Sequence, residues 1–311
     1  MPEDQGGPGL PRLDAGRRVL VVGDVMTDVI ARPEGPVIKG SDRRARIRTR
    51  PGGSGANQAV WLAHLGVPVT FAARVGADDL DRIRDRLGKF GTVPRLAADP
   101  ELPTGVLVTL VDPDGERSFL TDRGANLALS AGDLPDDLLD GVALLAISGY
   151  SLFEPGPRAA VLDLMARARE RGVRVAVDPA SASFLAECGI ERFLDWTQGA
   201  TLVLPNAEEA QLLTGETDIE RQLAVLGARY DIVVVKRGAQ GAEAIRGGVR
   251  FAAKAPEVAV LDTTGAGDAF LAGFVRQWLG GASLQEALGA GVAAGSRATT
   301  HFGGQPPERP D

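Results

Sequence analysis

The stretch DTTGAGDAF, residues 262–270, places two carboxylates around a glycine-rich turn and runs directly into an apolar segment with helical spacing. Gly265 and Gly267 let the backbone turn tightly, and the first amides of a helix have no partner within it. Those amides lie at the positive end of the helix dipole, where anions bind. The pattern indicates either phosphoryl transfer or a simple turn in which Asp268 only stabilises the helix.

A second glycine-rich stretch, RPGGSGANQAVWLAHLG at residues 50–66, adds groups that suit sugar hydroxyls. Gly52 and Gly53 would bring the backbone close to a ligand, and Asn57 offers a donor and an acceptor together. Asp24 directly follows the first apolar run and could accept hydroxyl hydrogen bonds. Each residue also has a structural reading, as a turn glycine, a cap or a strand-end residue. The two stretches together favour a ligand site.

Alternating strands and helices must bring these residues together. Short apolar runs are separated by amphipathic segments with helical spacing, including residues 182–196. The predicted strands are RVLVVGD at 18–24, VALLAIS at 142–148, VRVAVDP at 173–179, TLVLPN at 201–206 and DIVVVKRG at 231–238. This order predicts an α/β fold with a mostly parallel sheet and helices on both faces. Ligands bind beyond the carboxyl ends of the strands in such sheets.

Two other stretches break this rhythm. Residues 31–50 and 104–123 alternate polar and apolar residues, and DPDG at 112–115 is typical of a hairpin turn. We expect these stretches to form a small β-sheet lid that projects from the α/β body. Residues 1–16 contain several Gly and Pro and are predicted to be a disordered tail, which leaves 17–305 as one domain.

Composition limits the classes of function. The 311 residues are 44% hydrophobic and 24% charged, which is typical of a globular protein with a large core. No apolar run approaches the roughly 20 residues of a membrane span, and the start lacks a signal-peptide pattern, so we expect a cytoplasmic protein without a membrane partner. A formal charge of −7 disfavours nucleic acid as a partner. Neither a P-loop nor a dinucleotide fingerprint occurs, and a single cysteine excludes a cysteine-based metal cluster.

With these motifs, the chain resembles the ribokinase-like (PfkB) family of carbohydrate kinases. PGGSGANQAVWLAHLG is similar to the family's N-terminal motif, and DTTGAGDAFLAGF is similar to its C-terminal motif. PNAEEAQLLTG at 205–215 and VVVKRGAQGA at 233–242 resemble two further segments, so the resemblance covers residues 18–305. It implies a ribokinase-like fold and ATP-dependent transfer of the γ-phosphate to a hydroxyl of a sugar or sugar derivative, such as ribose, fructose or a keto-deoxy sugar acid.

The resemblance also implies roles for individual residues. Asp268 matches the general base that takes the proton of the substrate hydroxyl. The amides of Gly265, Ala266 and Gly267 match the anion hole for the γ-phosphate. The residues expected at the sugar are Asp24, Gly52, Gly53 and Asn57. The mechanism would then be in-line phosphoryl transfer governed by positioning and charge stabilisation.

ATP and magnesium are the cofactors that the resemblance implies. Asn206 and Glu209 match a pair that organises Mg²⁺ beside the nucleotide phosphates, with Glu209 acting through water. Taken from the residues alone, the same pair reads as a helix capping box. Lys236 and Gly238 lie where the nucleotide loop is expected. Lys236 and Arg237 stand where the family pattern has Thr or Ser followed by Leu or Lys.

A monovalent-cation site beside the anion hole is a further implication, with potassium as the expected ion. Asp262 and Thr264 match ligands on one loop. The carbonyl ligands of the other loop would come from Ala298, His301 and Gly303. Pro307 stands where a serine is expected. From the residues alone, His301 reads as a surface residue.

The substrate itself is left open by the sequence. Arg44, Arg46, Arg48 and Arg50 alternate along a predicted lid strand, either as a solvated face or as contacts to an anionic substrate that Arg117 would join. A nucleoside kinase is the first alternative, disfavoured by the 5% content of Phe, Trp and Tyr, because nucleoside pockets supply aromatic stacking. A non-catalytic sugar- or nucleotide-binding regulator is the second, and the intact Asp268 argues against it. The resemblance also allows a homodimer through the lid.

Overall fold

The computed structural model describes residues 17–112 and 117–307. The predicted tail at 1–16 and most of the predicted DPDG turn lie outside these residues. The strands of the described chain are β1 (Arg18–Val22), β2 (Met26–Pro33), β3 (Ala45–Gly52), β4 (Val69–Gly76), β5 (Val93–Asp99), β6 (Thr104–Val111), β7 (Arg117–Gly124), β8 (Val142–Ser148), β9 (Arg174–Asp178), β10 (Leu202–Val203), β11 (Ile232–Lys236), β12 (Ala242–Arg246) and β13 (Val249–Ala253).

Helices connect most of the strands. They are α1 (Ser54–His64), α2 (Leu80–Lys89), α3 (Tyr150–Phe153), α4 (Pro155–Glu170), α5 (Ala182–Cys188), α6 (Ile190–Trp196), α7 (Ala207–Thr214), α8 (Ile219–Gly227), α9 (Ala266–Leu279) and α10 (Leu284–Ala298). The predicted helical region at 182–196 is therefore two helices. Gly189 separates them with a φ of +89°, a conformation that favours glycine.

The larger sheet has the order β13-β12-β11-β10-β9-β8-β1-β4-β5. All neighbours from β11 to β5 pair in parallel, whereas β12 and β13 add an antiparallel edge. Alternate side chains of β1 enter two separate cores: Val19 and Val21 pack with α1, α9 and α10, and Leu20 and Val22 pack with α4 to α8. This burial on both faces explains why the strands read as continuous apolar runs. The predicted α/β class is confirmed.

The smaller sheet has the order β3-β2-β6-β7 and is the predicted lid. Its first strand begins at Met26, earlier than residue 31, because the chain passes from β1 into the lid with only a short connection. Arg50 lies directly opposite Asp28, and Gly105 lies opposite Met26. Directly opposed residues share one face of a sheet, so this register decides which lid side chains face the α/β body.

The ligand-site residues that the sequence predicted lie at one edge of the larger sheet, beyond the carboxyl ends of its parallel strands. Asp178 and Lys236 are the last residues of β9 and β11, and Asp24 follows the end of β1. The N-termini of α1 and α9 lie at the same edge, where their side chains meet. In the described ranges, no helix is both long enough and apolar enough to cross a membrane.

Candidate active site

Asp268 lies in the first turn of α9 and is buried. Three side chains of α1 donate hydrogen bonds to its carboxylate: Ser54 Oγ at 2.7 Å, Asn57 Nδ2 at 3.1 Å and Gln58 Nε2 at 3.3 Å. A carboxylate has about four acceptor positions, which leaves one for a further donor. Burial, followed by the nearby Asp178 charge, raises the pKa of Asp268 to about 7. This pKa suits a group that accepts a proton near neutral pH.

The glycine turn before α9 is held against the C-terminal loop. Gly265 has a φ of +73°, and a methyl group built on it would lie 2.4 Å from the Gly304 carbonyl oxygen, so only glycine fits. The Ala266 amide donates to the Thr263 carbonyl at 3.2 Å. No hydrogen bond within the described residues uses the amides of Gly265 or Gly267. Two of the three predicted anion-hole amides are therefore available to an anion.

A cavity of about 1290 Å³ contains this turn. Its lid end is lined by Met26, Asp28, Leu107, Phe119, Thr121 and Arg123. Its other end is lined largely by apolar groups and small residues, including Pro256, Val258, Val260, Val292 and Gly295. Asp268 and the loop 263–267 contribute to the same cavity. The arrangement places the predicted base in one cavity with charged groups at its lid end and mostly apolar or small groups at its other end.

Most of the predicted residues line this cavity. Those that do are Asp24, Gly53, Asn57, Asn206, Glu209, Lys236, Gly238, Thr264, Gly265, Ala266, Gly267 and Asp268. Those that do not are Gly52, Asp262, Ala298, His301 and Gly303. A methyl group built on Gly52 would lie 2.2 Å from an Asp28 oxygen, so this glycine makes room for a neighbouring carboxylate.

That neighbouring carboxylate was missed by the sequence analysis. Asp28 is 8% exposed, lines the cavity, and its Oδ1 has no partner in the part of the chain that the structure describes. Burial, then the charges of Asp24 and Asp262, raise the pKa of Asp28 to about 7. A buried polar atom without a partner is costly unless a ligand satisfies it. The signal was a single acidic residue close to the apolar residues Met26, Val29 and Ile30 of β2.

Asp24 has a different environment. Its Oδ1 accepts from the Gly55 amide at 3.1 Å and from Ser148 Oγ at 3.4 Å, which ties β1 and β8 to the start of α1. Its Oδ2 lies 3.4 Å from Arg123 Nη1, and that guanidinium stacks 4.7 Å from the centre of the Tyr150 ring. Arg123, also missed from the sequence, places a partly buried positive charge at the lid end of the cavity.

Asn206 and Glu209 form the capping box that their spacing predicted. The Asn206 side chain accepts from the Glu209 amide, and Glu209 Oε2 accepts from the Asn206 amide, each at 2.8 Å. Glu209 is nonetheless buried and lines the cavity. Burial raises its pKa to about 7. The structural reading and the predicted ligand role use the same two residues and do not exclude each other.

Lys236 and Arg237 point in different directions. Lys236 Nζ lies 2.6 Å from Asp178 Oδ2, whereas Arg237 pairs with Glu243 and does not line the cavity. Gly238 has a φ of +55° and lines the cavity beside Lys236. Asp178 was also missed, although it stands at the carboxyl end of a predicted strand, as Asp24 does.

The predicted monovalent-cation loops touch each other. Asp262 Oδ1 accepts from Thr264 Oγ1 at 2.7 Å, and its Oδ2 accepts from the Gly303 amide at 3.0 Å. Ala298 ends α10, and His301 Nε2 lies 3.1 Å from the Gln305 carbonyl oxygen. Within the described ranges, no group of three or more His, Cys, Asp or Glu side chains could hold a metal ion. A cation here would therefore depend on backbone carbonyls.

Residues 17–311 match the model of the pfkB family carbohydrate kinases. The chain belongs to the PfkB family. The kinases of this family are ATP-dependent phosphotransferases. The predicted family and ribokinase-like fold are confirmed.

Known relatives of this PfkB kinase have several names. It is 31% identical to "Bifunctional protein HldE" of Pseudomonas syringae pv. tomato over 93% of its own length, and it spans 62% of that longer protein. It is 30% identical to a ribokinase of Haemophilus influenzae, over 82% of each chain. The adenosine kinase of Sinorhizobium meliloti superposes with a TM-score of 0.85 at 26% identity, over 94% of this chain and 96% of that one.

A nucleotide complex exists for one further neighbour. A putative ribokinase II of E. coli in complex with ATP and Mg²⁺ superposes with a TM-score of 0.82 at 25% identity, over 93% of this chain and 94% of that one. The relatives include both sugar and nucleoside kinases, so membership of this carbohydrate and nucleoside kinase family does not fix the acceptor.

Proposed function

We propose that this PfkB enzyme transfers the γ-phosphate of ATP to a hydroxyl group of a sugar or sugar derivative, with Asp268 as general base. The observation that carries the proposal is the position of Asp268. It stands in the first turn of α9, next to two amides that have no acceptor in the described chain, in a cavity shared with Asp28, whose Oδ1 also has no partner there. The proposed base, the proposed anion site and a carboxylate that could accept a hydrogen bond from a hydroxyl group thus line the same cavity.

Each group would have a distinct part in the transfer. Asp268 would accept the proton of the attacking hydroxyl through its remaining acceptor position. The amides of Gly265 and Gly267 would stabilise the charge of the transferred phosphoryl group. Asp28 and Asn57 would orient the acceptor from the lid side and the α1 side of the cavity. Gly53, the N-cap of α1 with a φ of +92°, would let the backbone approach the same ligand.

The nucleotide would occupy the apolar end of the cavity. Gly238 and the small residues of α10 leave room there, and Asn206 and Lys236 would contact the phosphates. Glu209 supplies the hard oxygen ligand that Mg²⁺ prefers, so the residues fit this ion through bridging water. Magnesium, when bound, would neutralise charge on the ATP phosphates.

The experiment that tests the proposed function is ADP release measured across a panel of acceptors. The panel contains pentoses, hexoses, keto-sugar acids, sugar phosphates and nucleosides at equal concentration. We expect a sugar or sugar derivative to give the highest kcat/KM. A nucleoside that exceeds all sugars would replace the proposal with the alternative.

That alternative, a nucleoside kinase, has one observation in its favour. Phe119 is 59% exposed on the cavity face of the lid, next to Leu107 and Thr121. Such a ring could stack on a nucleobase. The polar groups Asp24, Asp28 and Asn57 suit the hydroxyls of either class, so the acceptor panel decides between them.

The lid arginines lie on the same face as Asp28. Arg50 is opposite Asp28, and Arg48 is opposite Ile30, whereas Arg44 precedes β3 and Arg117 begins β7. If this face meets an anionic acceptor, Arg48→Ala raises the acceptor KM about ten- to a hundredfold, as loss of a charge-assisted contact would.

The KM for ATP should change little in this variant. Exposed Arg84 on α2 provides a matched control, since Arg84→Ala removes the same charge from a residue outside the lid strands. If the arginines are only solvated, each substitution should change the free energy of acceptor binding by about 0 to 1 kcal/mol. Equal acceptor KM values for Arg48→Ala and Arg84→Ala would therefore contradict binding of an anionic acceptor by this face.

We also propose a potassium site behind the anion hole, formed around Asp262 and Thr264. Their contacts to each other and to Gly303 support a shared loop geometry that a cation could reinforce. Replacing potassium by tetramethylammonium at constant ionic strength should lower kcat several-fold, because the loop also carries the anion-hole amides. Equal kcat in both salts would show that no such site contributes.

The lid is finally proposed to form a homodimer contact. Ile47 and Leu120 are 63% and 62% exposed on the lid face opposite the cavity. Leu120 pairs across the sheet with Val108, which pairs with Val29, and Ile47 lies in the neighbouring row of cross-strand pairs. An exposed apolar patch of this kind marks an interaction surface. Light scattering should give twice the chain mass for the wild type and the single chain mass for Ile47→Asp. A monomeric wild type at micromolar concentration would contradict the dimer.

A further inference from the structure

Lys236 reaches from its own strand to the first turn of α9. Its Nζ lies 2.6 Å from Asp178 Oδ2, and β10 separates the two strands that carry these residues. A methyl group built on Gly267 would lie 3.2 Å from that Nζ and 4.0 Å from the Asp178 oxygen. The ammonium group therefore lies close to Gly267, whose amide belongs to the proposed anion hole and makes no hydrogen bond within the described residues.

The charge balance around Lys236 favours a further anionic partner. Burial lowers the pKa of Lys236, but Asp178 and Glu209 outweigh this effect and keep the ammonium group charged. An ammonium group has three donor hydrogens. In the described chain only one hydrogen-bond acceptor, Asp178, is within reach. Two of its donors therefore have no acceptor among the described residues, and Lys236 lines the cavity.

We propose that the Lys236 ammonium group binds the γ-phosphoryl group of ATP at the anion hole and that Asp178 holds it in place. The inference rests on the proposed function and deepens it, because it adds a positive charge to the amides of Gly265 and Gly267. A charged donor stabilises the transferred phosphoryl more strongly than a neutral hydroxyl, which is what Thr or Ser would offer at this position. Lys236 is thus a catalytic residue specific to the phosphate being transferred.

Binding of ATP and ADP separates this role from a structural ion pair. Lys236→Met removes the charge while keeping the chain length, and we expect its Kd for the non-hydrolysable analogue AMP-PNP to rise ten- to a hundredfold. The Kd for ADP, which lacks the γ-phosphoryl, should stay within about twofold. Lys236→Arg keeps the charge and should retain most of the preference for AMP-PNP. Titration calorimetry with Mg²⁺ present measures both Kd values for the wild type and for each variant.

A double variant distinguishes loss of phosphate binding from misfolding. Lys236→Met leaves Asp178 as a buried carboxylate without its partner, which itself destabilises the fold. The double variant Asp178→Asn/Lys236→Met carries a neutral pair, and the same selective loss of AMP-PNP affinity is expected. If both nucleotides bind as in the wild type, or both weaken by one factor in the double variant, the proposal is wrong. The binding assay needs no acceptor, so it stays informative if the acceptor panel fails.

Discussion

Asp268→Asn should lower kcat by about 10²- to 10⁴-fold, which is the usual contribution of a positioned general base. The asparagine keeps the shape of the side chain and can still contact Ser54 and Gln58 from α1, but it cannot accept a proton. Nucleotide affinity should remain close to that of the wild type. Steady-state ADP release with the best acceptor, combined with calorimetric ATP binding, measures both quantities.

The matched control is Asp81→Asn, which removes an exposed acidic residue from the first turn of α2. A carboxylate that only interacts with the helix dipole contributes about 0.3 to 1 kcal/mol of stability and nothing to the rate. If Asp268 had only that role, both variants would lose a little stability and keep their kcat. Near-normal kcat for Asp268→Asn would therefore refute the assignment of the base.

The pH dependence of the wild type gives a second view of the same group. Because Asp268 must be deprotonated to act and its pKa is raised to about 7, kcat/KM should rise with pH up to about 7 and then level off. With an ordinary aspartate pKa the plateau would already begin near pH 5.

Asp28→Asn should raise the KM of the acceptor by about ten- to a hundredfold for each charge-assisted hydrogen bond that is lost. The wild-type carboxylate is buried with one oxygen unpartnered in the described chain, so its hydrogen-bonding capacity is available to the acceptor. The KM of ATP should not change. Initial rates over a matrix of both substrate concentrations separate these parameters.

Asp122→Asn is the control on the same lid. Asp122 lies opposite Val106, whose neighbour on β2 is Thr27, so it occupies the face away from Asp28. Thermal stability adds an independent check, because replacing a buried carboxylate with a raised pKa by a neutral amide should not lower the melting temperature. Unchanged acceptor KM in Asp28→Asn would assign acceptor binding to other residues.

Local sequence patterns predicted much of the fold and the centre of the site. The run VALLAIS coincides with β8 because a strand buried on both faces must be apolar throughout. The turn at Gly265 could be predicted because it depends only on neighbouring residues. A glycine that can adopt a left-handed conformation is followed directly by an apolar helix. The same holds for the capping box at Asn206, whose two hydrogen bonds span only three residues.

Residues that depend on long-range pairing were missed. Asp28 sits in a lid strand whose cavity face is decided only by pairing with β3 and β6. Arg123 reaches Asp24 across roughly a hundred positions of chain, a distance over which sequence spacing carries no geometric information. Asp178 could have been predicted in the same way as Asp24. Both residues stand at the carboxyl end of an apolar strand, where ligands bind in sheets of this kind.

The central claim is that this chain moves the γ-phosphate of ATP onto a hydroxyl of a small acceptor rather than onto water. The most direct measurement incubates the enzyme with γ-³²P-labelled ATP and its best acceptor from the panel, then separates nucleotide, inorganic phosphate and organic phosphate by chromatography. We predict that the label appears in the phosphorylated acceptor in amounts equal to the ADP formed, and that Asp268→Asn slows this transfer about 10²- to 10⁴-fold. Label found only in inorganic phosphate, or label transfer at a near-normal rate in Asp268→Asn, would contradict this account.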